Sequence, residues 1–259
     1  GAAHYKYDEE VPQVYEQVSD ITSTVTQNKV GDFMDNNHIT YTTPTFDLGG
    51  ASITFDIGYA SDANDTETGD GGIAKSAHKT YGTGTEAGVT IKYDALQIGI
   101  YGAERENLTP GAAGADANRD EFNGVWYAKY NFGPVSIGYS EFYVDAGVSN
   151  GTVVTTGAAK TLRTSGGFTE GNQMGIAFNI NDNLSVSYTE SSETYDAQSH
   201  VKSGSAEIAD VDQDIDALQV AYSMGGMSIK AYQMEVENPA FDEDASDSKV
   251  TEIALGLAF

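Results

Sequence analysis

Seven carboxylates gather in the first 37 positions of this sequence, at Asp8, Glu9, Glu10, Glu16, Asp20, Asp32 and Asp35, while Lys92, Lys129 and Lys230 stand in segments of alternating polarity further on. Carboxylates held opposite ammonium groups across water create a transverse field, which orients polar solutes and holds back lipophilic ones. Asp56 and Glu252 add negative charge on the polar faces of their own segments. Groups for covalent chemistry are scarce by comparison. The chain has no cysteine, which removes thiolate nucleophiles, thiolate metal sites and disulfides together. His4, His38, His78 and His200 show no metal-ligand spacing and read as exposed loop or strand-mouth residues. No nucleophile elbow, phosphate loop or zinc signature is present and nothing marks a catalytic triad, so the expectation is a protein that is not an enzyme. Asp62, Asn64, Asp65 and Asp70 form a stretch similar to a calcium loop but without the central glycine of an EF-hand. No cofactor is expected: the acidic outer loops read as solvated surface, with weak Ca2+ binding there as the alternative.

The elements that must position these charges are strands. Thr251, Ile253, Leu255, Leu257 and Phe259 alternate with Glu252, Ala254, Gly256 and Ala258, so large apolar side chains share one face and small or polar ones the other. Such a strand suits a wall between lipid and water. Ten further segments of about 8 to 12 residues share this period. Among them Leu218, Val220 and Tyr222 face away from Gln219 and Ala221, and Ile53, Phe55, Ile57 and Tyr59 face away from Thr54, Asp56 and Gly58. Two are irregular: Pro44 interrupts 38–46, and in 227–237 the apolar phase switches between Ile229 and Met234, as a bulge would cause. No run approaches the ~20 apolar residues of a membrane helix. A net charge of −26, from 39 acidic against 13 basic residues, argues against nucleic-acid binding and toward cations.

Short and long connectors strictly alternate. Turn-forming residues occur at Asp47–Gly50, Asp94–Ala95, Phe132–Pro134, Asn181–Asn183 and Gly225–Gly226, whereas long acidic or glycine-rich stretches lie near 61–84, 104–120, 145–170, 191–213 and 238–249. Antiparallel strands then send every long loop to one end. That is the arrangement of an outer-membrane barrel, with short periplasmic turns and long outer loops. The fold expected is all-β: a transmembrane antiparallel up-and-down barrel. Counting back eleven strands from a periplasmic C-terminus, the chain enters its first strand from outside, so an odd number of strands, most simply five, is expected before residue 1.

Gly31-Asp32-Phe33-Met34-Asp35-Asn36-Asn37 followed by Ile39-Thr40-Tyr41-Thr42-Thr43-Pro44-Thr45-Phe46, with the terminal Phe259, resembles general diffusion porins of the Gram-negative outer membrane. The resemblance implies a sixteen-stranded trimeric channel of which these are the C-terminal eleven strands. It also implies that residues 1–37 are the pore-constricting loop and 38–259 the barrel wall. Lys92, Lys129 and Lys230, with Asp56 and Glu252, would then line the lumen opposite the loop carboxylates. That family usually lines one wall with arginines; here Arg105, Arg119 and Arg163 are assigned to outer loops. Phe46, Tyr93, Tyr130, Phe132 and Phe259 at periplasmic strand ends, with Tyr59, Tyr139, Tyr143 and Tyr188 toward outer ends, suit two aromatic girdles at headgroup level.

The function expected is passive diffusion of small hydrophilic solutes and ions, with cations favoured at low salt, since screening at marine ionic strength shrinks to a few ångströms. The expected location is the outer membrane, with its lipid, lipopolysaccharide and two further copies of the chain as partners. A substrate-specific channel would need an aromatic slide, for which inward Tyr101 and Tyr127 are few. A secreted acidic adhesin or surface-layer protein would instead pair its strands into two packed sheets with Leu255 and Leu257 inside.

Overall fold

The computed structural model describes residues 3–21, 27, 30–35, 37–63, 81–108, 120–145, 147, 167–197 and 210–258. Among them no helix is long and apolar enough to cross a membrane. Strands β1 (His38–Thr42), β2 (Phe46–Leu48), β3 (Ala51–Ala60), β4 (Tyr81–Tyr93), β5 (Leu96–Asn107) and β6 (Glu121–Phe132) come first. They are followed by β7 (Val135–Asp145), β8 (Gly167–Asn181), β9 (Leu184–Ala197), β10 (Val211–Met224), β11 (Met227–Glu237) and β12 (Ser248–Leu257). All join one antiparallel sheet in chain order, with β1 and β2 both paired to β3. This is the all-β, up-and-down antiparallel arrangement that the alternating strands imply.

β1 and β2 are two pieces of the first stave. Pro44 lacks an N–H, so the ladder breaks between them, although the Thr43 N–H still donates to the Phe55 carbonyl at 2.9 Å. The β2–β3 turn is Gly49-Gly50, both at positive φ (61° and 91°), a backbone that side chains resist and the twist of a tight hairpin requires.

Two expectations about the strands need correction. No bulge interrupts β11, whose pairing runs unbroken from Glu237 opposite Asp214 to Met227 opposite Met224, and equally with β12. The apolar phase switches because Tyr232, Met234 and Val236 turn inward to cover Val18 and Ile215. The irregularities fall instead between Tyr81 and Gly84 on β4 and between Asn179 and Asn181 on β8. Several strands also run past the sequence-based boundaries, β9 for example to Ala197. Their upper ends are polar on both faces, so they carry no period-two signal.

Candidate functional site

One face of the sheet is covered by the chain's own beginning. A 3-10 turn (His4–Lys6), a short helix (Val18–Ile21) and a second 3-10 turn (Asp32–Met34) punctuate the covering segment. Its contacts run from β3, through Lys6, to β12, through Tyr15. A flat sheet would set those strands about 43 Å apart, whereas nine residues extend about 30 Å and side chains stand nearly perpendicular to the sheet. The sheet therefore curls around the segment.

The first anchor is polar and aromatic. The Lys6 ammonium donates to Asp56 and, at 2.8 Å, to the Thr42 hydroxyl, while the Tyr7 hydroxyl donates to Asp56 Oδ2 at 2.7 Å. Tyr7 stacks on Tyr101 with ring centroids 5.2 Å apart and lies against Gly88, where a Cβ would approach its hydroxyl to 2.5 Å. Tyr101 donates to Glu86 at 2.7 Å, and Glu86 also accepts from Thr40 at 3.0 Å and from the Ala3 N–H at 3.4 Å. Tyr7, Tyr101 and Tyr127 are 0%, 3% and 1% exposed. They are packing beneath the segment, so they do not form an aromatic slide.

The second anchor is mostly apolar. Val18 packs with Ile215, Ala217, Tyr232, Met234 and Val236, with Tyr15 and Ile21 at the margin. Fully burying one such side chain is worth about 1.5–3 kcal/mol. Gln219 closes the polar part: its Oε1 accepts from the Tyr15 and Glu16 N–H groups at 2.9 and 3.1 Å, and its Nε2 donates to the Glu16 carbonyl at 2.7 Å. The Tyr15 hydroxyl donates to Glu252 at 2.6 Å, and that bond, more than burial, pushes its pKa up to about 12.

The inner-face lysines are placed as follows. Lys129 pairs with Glu10, which also accepts from Gln97 at 3.4 Å. Lys230 sits 5.1 Å from the Tyr15 ring centre, and Lys92 is exposed beside Ser52 and Gln97. Asp20, Asp32 and Asp35 are exposed, Glu9 and Glu16 half-buried. Asp8 is buried, which together with the charge of Glu9 pushes its carboxyl up to about 8. Charge therefore alternates across the contact: a segment lysine meets a wall aspartate, and a segment glutamate meets a wall lysine.

Sequence reasoning missed Lys6, Tyr7, Glu86 and Gln219. A lone Lys6 among acids was the available signal. Two assignments were wrong. Arg105 is not in an outer loop: it is inward on β5, 4% exposed, ion-paired with Glu121, over the Tyr81 ring at 3.5 Å and donating to the Ala63 carbonyl at 2.8 Å. His4 is fully buried, not exposed. Asp62 is half-buried, while Asn64, Asp65, Asp70, His78, His200, Arg119, Arg163 and Phe259 lie outside the described residues.

The opposite face is apolar and uncovered. Ile253, Leu255 and Leu257 are 73%, 62% and 54% exposed, and Phe46, Tyr59, Tyr93, Tyr130 and Phe132 on the same face are exposed too, with Tyr139 half-buried. Described strands form one sheet, so Leu255 and Leu257 are not enclosed between two layers.

The limit of this apolar region crosses the sheet obliquely. Along one rung Phe55, Val89, Ile100 and Trp126 precede Glu141 and Asn172, changing from apolar to polar after β6. Two residues lower, Ile91, Ile98, Ala128, Tyr139 and Met174 precede Glu190, Asp216 and Glu235, so the change comes after β8. Two lower again, Leu96, Tyr130, Ile137, Ile176, Tyr188 and Leu218 precede Gln233 and Thr251, a change after β10. Two residues of rise against two strand spacings is a slope of about 35°. A straight boundary of this kind makes the strands tilt by that angle from its normal, within the 35–45° range of transmembrane barrels.

No family model matches the sequence, and no curated protein matches it. Among solved structures the chain is similar to a porin refined at 1.8 Å resolution, with a TM-score of 0.57 and 13% identity over the whole of this chain and 75% of that one. The likeness is one of fold: a porin-like antiparallel β wall.

Proposed function

We propose that this chain is the wall of an outer-membrane channel of the diffusion-porin class, narrowed by residues 1–37 and passing small hydrophilic solutes and ions with a preference for cations. The observation that carries the reading is the oblique apolar boundary. A soluble protein has no reason to align its exposed apolar residues to a plane inclined to its own ladder, and rarely leaves so large an apolar face uncovered. The porin-like fold supports it, as does a polar inner face occupied by the chain's own beginning. The cation preference follows from the net charge of −26. Outer-membrane lipid and lipopolysaccharide, and a homotrimeric assembly, belong to the same proposal by analogy with the porin class. So does a sixteen-stranded closed barrel.

Conductance across planar bilayers under a salt gradient tests it. Openings in multiples of three with a cation-biased reversal potential are the expected result. Electrical silence from protein whose β-sheet circular dichroism is intact overturns the proposal.

A further inference from the structure

The two 3-10 turns of the covering segment meet, with His4 of the first facing the second. In a 3-10 turn side chains three positions apart eclipse, so Asp32 and Asp35 project on one side. That side faces the imidazole: His4 Nε2 is 3.6 Å from Asp35 Oδ1 and 3.9 Å from Asp32 Oδ1. Gly31, at φ 80°, allows the approach. A Cβ there would stand 2.6 Å from the His4 Cβ and equally close to the Tyr101 hydroxyl.

His4 is 0% exposed, and neither of its ring nitrogens has a hydrogen-bond partner. Leaving a buried polar atom unsatisfied costs about 1–3 kcal/mol, so such groups call for an occupant. The carboxylate distances are too long for hydrogen bonds. They are close to the separation of about 3.4 Å between two ligands held tetrahedrally by a metal ion at about 2.1 Å. Tyr5 donates its hydroxyl to Asp35 Oδ2 at 2.9 Å, which leaves Oδ1 turned toward the imidazole. Outer-shell support of this kind orients a ligating carboxylate. The Asp32 and Asp35 side chains are 56% and 36% exposed, giving an ion an entry path and water access to its remaining positions.

The geometry points to a binding site for a divalent transition-metal ion of the Zn2+ class, ligated by His4, Asp32 and Asp35 and completed by water. The imidazole nitrogen selects such an ion over Ca2+ and Mg2+, which prefer oxygen throughout. The ion would clamp the start of the covering segment to its end.

Titration calorimetry of chelator-treated protein in detergent with Zn2+ tests the assignment without reference to conductance, so its failure is distinct from failure of the channel reading. One saturable site per chain is expected, weakened at least tenfold in His4→Gln and in Asp35→Asn, and unchanged in His38→Gln. Equal affinity in wild type, His4→Gln and Asp35→Asn overturns the proposal, as does loss of the site in His38→Gln or Ca2+ binding as tightly as Zn2+. Replacing a buried histidine can disturb the segment, so Co2+ absorption of the unsubstituted chain gives a second reading. A saturable visible d–d band, displaced by Zn2+, is expected; no saturable band overturns the assignment.

Discussion

The two anchors of the covering segment do the same work with different forces. Against β3–β6 the segment is held by an ion pair, tyrosine hydroxyls and Glu86; against β10 and β11 it is held by Val18 in an apolar nest and by Gln219. The first depends on hydrogen bonds to two wall carboxylates kept from water, Asp56 and Glu86, so removing one strands its donors. The second depends on buried area, which neither salt nor pH changes at first order. A covering segment fixed by both has one end that answers to solution conditions and one that does not.

The absence of cysteine makes this contrast measurable, because a single spin label at Asp20→Cys, an exposed position, reports release of the segment. A large effect is expected for Asp56→Ala, which orphans the buried Tyr7 hydroxyl and leaves the half-exposed Lys6 to water; the loss should be about 2–3 kcal/mol, and the label should become mobile. Met234→Ala opens a cavity under Val18 and should cost about 2–4 kcal/mol, with the same loss at low and high salt. If that loss proves salt-dependent, the contrast between anchors fails. Gln219→Ala orphans two N–H groups and a carbonyl, for about 2 kcal/mol. Glu10→Gln breaks the partly exposed pair with Lys129 and should cost about 1 kcal/mol or less, vanishing in concentrated salt.

Asp8 adds a pH dependence. Its carboxyl titrates near 8 when the segment is in place and near 3.8 when it is released. Between those limits the docked form holds more protons, so docking weakens as pH rises, by at most about 1.4 kcal/mol per unit. Spectra recorded from pH 5 to pH 8 should show growing label mobility, and Asp8→Asn should flatten the trend.

The outer face was legible from the sequence because hydrocarbon and water impose period two on each strand separately. Leu255 and Leu257 needed no knowledge of their neighbours. The boundary at Glu190, Asp216 and Glu235 needed the register, since alternation within a strand does not say which rung it meets. The inner face was harder for a related reason: Met234 and Val236 are apolar on the polar side because Val18 lies over them, some two hundred residues away in sequence. Arg105 sits among Ala103, Glu104 and Glu106, where no apolar alternation marks the strand. His4 is buried by a turn that returns after residue 30, which composition near His4 cannot reveal.

The sloping boundary leaves unequal lengths of ladder beyond it. On β9 the strand continues from Glu190 to Ala197, about 25 Å of chain, whereas on β3 it ends one residue after Tyr59. Set in a bilayer, the wall would rise as a stiff acidic parapet over β8–β10, bearing Glu170, Glu190, Asp212 and Asp216, and drop to headgroup level beside β3. Among the described strands the rim of the proposed channel would therefore be lopsided, and a hydrated cation drifting in from solution would be drawn first to its tall side.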